Sequence, residues 1–192
     1  MQLMAVSQRR RMQGVSLIEV LVSIVIASIA LLALAGVNAA ALRYTKMSQY
    51  RATATQLAAD MGERMRANKG TSAANSGIFG GAYDFTTDFA GQADAASLPA
   101  QLCNTAASSC TVAEIAALDL AQWRILVRNQ LPEGSVFLQT QAAQVAVNLW
   151  VIWRDPAVAA NDEVPALVGE CPDGLNRNAD ASIRCSYFRI NL

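Results

Sequence analysis

The longest apolar run of the chain follows a single acidic residue near the N-terminus. From Val20 to Leu42, 23 consecutive residues carry no charge, and Glu19 stands immediately before them. In a helix with a rise of 1.5 Å per residue, this run would be about 35 Å long, which exceeds a bilayer core of about 30 Å. The pattern therefore predicts a membrane-spanning helix.

The same helix is expected to continue beyond the apolar run. No proline occurs before Pro99, and Asn68, Lys69 and Gly70 supply the first helix stop, so we expect one helix of about 50 residues. Apolar residues at helical spacing mark its buried face: Leu42, Met47, Tyr50, Ala54, Leu57, Met61 and Met65. Six charged residues are predicted to be solvated or packed against polar neighbours, and the solvated face is favoured: Arg43, Lys46, Arg51, Asp60, Glu63 and Arg64.

A second helix is predicted in the C-terminal half. Thr111 and Glu114 have the spacing of a capping box, and an amphipathic run follows to about Gln130. Pro132 and Gly134 end it. Its predicted apolar face, with Trp123 as a core residue, consists of Ile115, Leu118, Trp123, Leu126 and Val127.

Three strand-like runs follow the second helix. They read SVFLQTQ from Ser135, QVAVNLWVIWRD from Gln144 and CSYFRINL from Cys185. Because no long helix separates them, they predict an antiparallel sheet and, with the helices, an α+β fold. The second run alternates, and one predicted side carries Val145, Val147, Leu149, Val151 and Trp153.

The connections contain all four cysteines. Residues 70–110 are rich in Gly, Ser and Ala and are predicted to form a long connecting loop, while residues 155–184 form a polar insertion. An even number of cysteines behind a membrane-targeting segment indicates disulfides in an oxidising compartment. Of the three possible pairings, the local one is favoured, which joins Cys103 to Cys110 and Cys171 to Cys185.

Composition and charge argue against several functional classes. The chain has 15 basic and 15 acidic residues, so removal of Arg9, Arg10 and Arg11 by processing would leave 12 basic residues. Without a basic face, nucleic-acid binding has no support. The absence of histidine removes Ser-His-Asp and Cys-His catalysis, and the cysteine gaps do not fit zinc. We therefore expect no catalytic residue, no metal and no cofactor.

The N-terminus allows three interpretations. Arg9–Arg11 ahead of the apolar run would stay cytoplasmic and place the rest of the chain outside the inner membrane. A secretory signal cleaved after Ala35 fits the arginines, but the run is longer than such a signal usually has. An uncleaved signal anchor explains the length, and neither interpretation explains Glu19. A carboxylate in such a segment needs a partner. A cut between Gly14 and Val15 would create one, an α-amine four residues before Glu19.

The sequence from Gly14 to Val20, GVSLIEV after a basic leader, resembles the class III signal of type IV prepilins and type II secretion pseudopilins. The resemblance implies that a membrane prepilin peptidase cuts after Gly14 and N-methylates Val15. It also implies that Glu19 helps to recruit the subunit to a growing fibre. Val15 departs from the phenylalanine that the family usually has at this position.

Three further features resemble the PilV-type minor pilins of type IV pili. They are a cysteine pair before a capped helix, a hairpin whose second strand contains VNLWVIWRD, and a terminal aromatic strand. The resemblance implies a lollipop-shaped fold with a long helix on a small sheet, and a role in pilus assembly initiation, the tip complex, adhesion or twitching motility. The rival interpretations are a minor pseudopilin of type II secretion and a membrane-anchored periplasmic binding protein or enzyme.

The same resemblance implies partners and location. The partners would be other minor and major pilins, the prepilin peptidase, the inner-membrane assembly platform and a tip adhesin. The protein would pass once through the inner membrane with a periplasmic head and then enter an extracellular pilus. The expected segments are a leader (1–14), a transmembrane or fibre-core helix half (15–42), an amphipathic helix half (43–68) and a globular head with disulfides (69–192).

Overall fold

The computed structural model of the protein describes residues 16–69, 80–105, 107–141, 146–158, 170–177 and 180–192. The chain divides into two compact units, Met1–Tyr44 and Thr45–Leu192. Two short 3₁₀ helices, Ala90–Gln92 and Asp173–Leu175, lie in the connections. The main elements are α1 (Leu17–Ala67), α2 (Val112–Gln130), β1 (Ser135–Gln141), β2 (Ala146–Arg154) and β3 (Ile183–Asn191).

The described part of the first unit is Ser16 and the start of α1, up to Tyr44. All of these residues are exposed. By length and composition, α1 contains a segment apolar enough to cross a membrane, as predicted. This number of exposed leucine, isoleucine and valine side chains is unfavourable in water. An apolar environment outside the chain is therefore needed to cover them.

The core of the second unit lies between the remainder of α1 and an antiparallel sheet. The strand order is β1-β2-β3, so β2 is the central strand. The alternation predicted for β2 is correct, because Val147, Leu149, Val151 and Trp153 are fully buried in this core. The helix contributes Ala54, Leu57, Ala58, Met61 and Met65 to the same cluster. The predicted α+β class is confirmed.

The N-terminus of α2 has the predicted capping box. The Oγ1 atom of Thr111 accepts a hydrogen bond from the Glu114 N–H at 3.3 Å, and the Glu114 carboxylate accepts one from the Thr111 N–H at 2.8 Å. The backbone and side-chain hydrogen bonds from Thr111 favour the charged carboxylate and lower the pKa of Glu114. After the helix, Gly134 passes so close to the backbone of Val127 that a side chain there would collide with it.

The buried face of α2 is centred on Trp123, as predicted. Trp123 is fully buried and donates its indole N–H to the Leu57 carbonyl of α1 at 2.9 Å. Leu118 and Val127 are buried as well, whereas Ile115 and Leu126 are only half-buried. The hydrogen bond fixes α2 against α1 and also satisfies the indole nitrogen within the core.

A second apolar cluster covers part of the opposite face of the sheet. Its buried members are Phe137, Ile152, Leu175, Ile183 and Cys185. A disulfide between Cys171 and Cys185 ties the segment that carries Leu175 to β3. A second disulfide joins Cys103 to Cys110 just ahead of α2. Both bonds connect the local pairs that the sequence favours.

Residues 84–92 lie within the long loop predicted from the sequence, but they close the outer edge of β1. Phe85 and Leu138 exchange two backbone hydrogen bonds at 2.9 and 2.8 Å. The side-chain amide of Gln92 bonds to both the N–H and the carbonyl of Val136, at 3.0 and 2.9 Å. Farther along, Asp84 accepts a bond from the backbone N–H of Thr140. The described part of this segment is a loop, as predicted, and it also supplies sheet-edge contacts.

Element boundaries differ little from those predicted. The helix α1 ends at Ala67, and β3 begins at Ile183, two residues before the predicted start at Cys185. Gly70 and Val145, which were predicted to stop α1 and to lie in β2, are outside the described residues.

Candidate assembly site on the N-terminal helix

The candidate site is centred on Glu19 in the first turn of α1. The Ser16 carbonyl accepts hydrogen bonds from the Glu19 N–H at 3.0 Å and from the Val20 N–H at 3.2 Å, so the helix is established directly after Ser16. A carboxylate at this end interacts favourably with the helix dipole. Glu19 is exposed, so its charge is accessible to a group outside the described chain.

Other polar side chains in this part of α1 bond within the helix. Ser23 Oγ donates to the Glu19 carbonyl at 2.7 Å, and Ser28 Oγ donates to the Ile24 carbonyl at 2.8 Å. These bonds satisfy the hydroxyl donors without water, as an apolar environment requires. Within residues 17–42, Glu19 is the only charged residue of the sequence, and it is therefore the group that needs an external partner.

Residues 9–35 match the model of the prokaryotic N-terminal methylation motif. The N-terminal methylation motif includes the basic leader, the Gly14–Val15 junction and Glu19, and it supports a class III prepilin signal in this chain. Comparisons with the curated proteins and with solved structures found no significant match.

The N-terminal methylation motif supports a pilin-like protein or a pseudopilin. Such proteins are structural subunits and are generally not enzymes. The motif and the exposed apolar helix together fit an inner-membrane-anchored protein of this kind. Gly14 and Val15 lie outside the described residues, so cleavage between them and methylation of Val15 stay predictions from the sequence.

The end of α1 is held to α2 by charged and polar side chains, among them Arg64 and Asp60 of the predicted polar face. Arg64 pairs with Asp60 at 3.0 Å and with Asp119 of α2 at 3.4 Å. Asp119 also accepts a hydrogen bond from the buried hydroxyl of Tyr83 at 2.9 Å, and Asn68 donates to that hydroxyl at 3.1 Å. Burial is the main cause that raises the pKa of Tyr83 far above its usual value. Arg64 and Asp60 are therefore packed against polar neighbours, which is the second of the two predicted arrangements.

A second ion-pair cluster includes Arg51, whose side chain stays 47% exposed, as predicted for the polar face. Glu170 pairs with Arg51 of α1 at 2.7 Å and with Arg184 of β3 at 3.1 Å. Arg184 is buried, with 7% of its side chain exposed, so the paired carboxylate offsets its desolvation. The cluster connects the helix, the disulfide-closed segment and the sheet within the second unit.

A polar cavity of about 360 Å³ lies between the two 3₁₀ helices and the end of β2. Arg154, one of its lining residues, pairs with Asp180 at 2.7 Å and with Glu133 at 2.9 Å, and these hydrogen bonds raise the pKa of Arg154. Burial alone would raise the pKa of Asp180. Hydrogen bonds from Ser182 and Arg154 outweigh this effect, so the pKa of Asp180 is lowered. Within the described ranges, no three His, Cys, Asp or Glu side chains come together as a metal site.

Proposed function

We propose that the protein is a minor pilin of a type IV pilus, of the PilV type. The observation that carries the proposal is the N-terminal methylation motif over residues 9–35, with Glu19 in the first turn of an exposed, otherwise uncharged helix. In this role the prepilin peptidase cuts between Gly14 and Val15 and methylates the new terminus. The mature chain then moves from the inner membrane into the fibre.

Cleavage changes the electrostatics of the helix start. It removes Arg9–Arg11, which have served to orient the chain, and it exposes an α-amine at Val15. A methylated amine keeps a positive charge and can pair with a carboxylate in the apolar environment of a bilayer or fibre, where an unpaired charge is costly. Glu19 of an incoming subunit would pair with the terminal amine of its neighbour, and this pairing would set the position of each subunit.

The head would work outside the inner membrane with the assembly partners. The two disulfides require an oxidising compartment such as the periplasm. There the head would contact other minor and major pilins and, at the tip, an adhesin, while the membrane helix engages the assembly platform. These contacts would start fibre assembly and support adhesion or twitching motility.

The proposal is tested by following the protein into sheared surface fibres. Glu19→Gln keeps the size of the side chain but removes its charge, and Ser23→Ala, one turn along the same helix, is the matched control. We expect Glu19→Gln to be processed normally yet be depleted from fibres by about tenfold, if its pairing contributes about 1.4 kcal/mol. Normal incorporation of Glu19→Gln would contradict the charge-pairing role, and co-isolation with a type II secretion apparatus in place of pili would establish a pseudopilin.

A further inference from the structure

Farther along the exposed part of α1, Asn38 is a polar side chain that the helix itself does not satisfy. Ser23 and Ser28 donate their hydroxyls to the carbonyls four residues earlier, whereas the Asn38 amide makes no side-chain hydrogen bond to any described residue. It is exposed, and it is the only asparagine or glutamine of the sequence between residues 17 and 42. An amide has two N–H donors and an acceptor oxygen, which are costly to leave unpaired in an apolar environment.

The position of Asn38 determines where this cost arises. Asn38 comes 19 positions after Glu19, or about 28 Å along a helix. When Glu19 lies at one boundary of a bilayer core of about 30 Å, Asn38 reaches the opposite boundary, where water and lipid headgroups can hydrogen-bond to it. A bundle of packed helices in the proposed fibre provides neither. The Asn38 amide therefore needs a protein partner once the chain has left the membrane.

The pairing of Glu19 determines which part of a neighbouring helix lies beside Asn38. In the proposed assembly, Glu19 of the incoming chain pairs with the terminal amine at Val15 of its neighbour. Val15 precedes Glu19 by four positions, so two parallel helices are displaced by about 6 Å along their axes. Asn38 of the incoming chain then lies level with the residue that comes 19 positions after the neighbour's terminal residue.

A second copy of this chain does not supply a partner at this level. The residue 19 positions after Val15 is Leu34, which lies between Ala33 and Ala35. None of these three side chains forms hydrogen bonds, so Asn38 of an incoming copy would pack against hydrocarbon. A different pilin with asparagine, glutamine, serine or threonine at this level would satisfy the amide, since all four side chains hydrogen-bond between helices.

The helix surface around Asn38 allows the close approach that such a bond requires. Ala35 and Ala41 lie three positions before and after Asn38, on the same face of α1. Small residues let the backbones of two helices come close together, so a short polar side chain can reach across. A neighbouring helix on this face is therefore within reach of the Asn38 amide.

We propose that Asn38 is a specificity-determining residue that selects the pilin on which this chain assembles. The selected neighbour is a different pilin whose helix carries an uncharged hydrogen-bonding side chain about 19 residues beyond its terminal amine. This inference rests on the proposed function and its pairing of Glu19, and it adds the chemistry of the neighbour. Glu19 sets the displacement between the helices, and Asn38 discriminates among the helices that can pair with Glu19.

The first test measures how much full-length protein enters sheared fibres, relative to its mature pool in membranes. Asn38→Leu removes the amide at similar size, Asn38→Gln keeps an amide, and Ser28→Ala is the matched control, because the Ser28 hydroxyl is satisfied within the helix. We expect incorporation of Asn38→Leu to fall about three- to tenfold, Asn38→Gln to retain most of its incorporation and Ser28→Ala to match the native chain. Mature mass and membrane level should stay unchanged in all three variants.

The second test identifies the neighbour in intact fibres. The photo-cross-linking residue p-benzoylphenylalanine in place of Leu42, one turn beyond Asn38 on the same face, labels the facing helix while Asn38 is kept. Mass spectrometry should find a different pilin with asparagine, glutamine, serine or threonine in the turn before the cross-linked residue. Replacing that residue with leucine should lower incorporation of the native chain as Asn38→Leu does, and combining the two changes should cause no further loss.

The outcomes separate this inference from the proposed function. Incorporation of Asn38→Leu at the native level, with Glu19→Gln depleted, would overturn the inference and leave the proposed function intact. A cross-link to a second copy of this chain, only apolar residues at this level of the neighbour, or additive losses in the combined variant would overturn it as well. Absence of the native chain from fibres would overturn the proposed function and this inference with it.

Discussion

The two parts of α1 use apolar residues in opposite ways. Up to Tyr44 none of its residues is buried, whereas beyond Thr45 it buries six residues, among them Met61 and Met65, against the sheet and α2. Both parts belong to one continuous helix, so the difference lies in the partner. The second part finds its apolar partner within the chain, and the first must find it in a bilayer or in neighbouring helices.

The largest stability effect should separate these two parts directly. Met61→Ala removes a fully buried side chain and should lower the free energy of unfolding of the head by about 2–5 kcal/mol. Leu32→Ala removes a side chain of similar size that is 74% exposed, and it should leave the free energy of unfolding of the head unchanged. Denaturant unfolding in detergent, followed by tryptophan fluorescence, measures both. Equal destabilisation by the two variants would contradict the division of α1.

The two disulfides should contribute unequally to the second unit. Replacing Cys171 and Cys185 with alanine removes a bridge between two residues that are 14 positions apart, and Cys185 is buried. We therefore expect the free energy of unfolding to fall by about 3 kcal/mol. The Cys103–Cys110 bridge joins residues seven positions apart, and Cys110 is more exposed than Cys185. Its removal should lower the free energy of unfolding by about 2 kcal/mol or less. Chemical unfolding of the two double variants gives the order, and a reversed order would contradict the packing described for β3.

A smaller effect is expected at the start of α2. Thr111→Ala removes the side-chain cap and should cost about 1 kcal/mol, while Thr111→Ser keeps the hydroxyl and should cost much less. The lowered pKa of Glu114 means that its contribution is present at neutral pH and is lost as pH falls through the folded-state pKa. Thermal melting at neutral and acidic pH measures both effects. A Thr111→Ala variant as stable as the native chain would show that the capping box does not matter.

Local patterns predicted much of this structure. The helix cap depends only on Thr111 and Glu114, which are three positions apart. The alternation of β2 follows from one buried face of the strand, so both features could be predicted from short stretches of sequence. The leader and Glu19 were also recognised from spacing, although the structure does not describe Gly14 and Val15 and leaves their processing as a prediction.

Long-range polar contacts could not be predicted in this way. Arg51 and Glu170 are 119 positions apart, and no periodicity relates them. The side chain of Gln92 hydrogen-bonds to the backbone at the outer edge of β1, although it comes from a segment without strand character. Its position depends on the packing of the whole head. For the same reason, the closure of the outer edge of β1 became evident only from the structure.

The central claim is that the exposed part of α1 becomes the start of a mature pilin. Intact mass and N-terminal sequencing of the protein from membranes test it most directly. We expect a chain that begins at Val15 and carries one added methyl group, and a Gly14→Leu variant should remain unprocessed. A mature chain that begins at Gly36, or a native chain that retains Arg9–Arg11, would contradict the account.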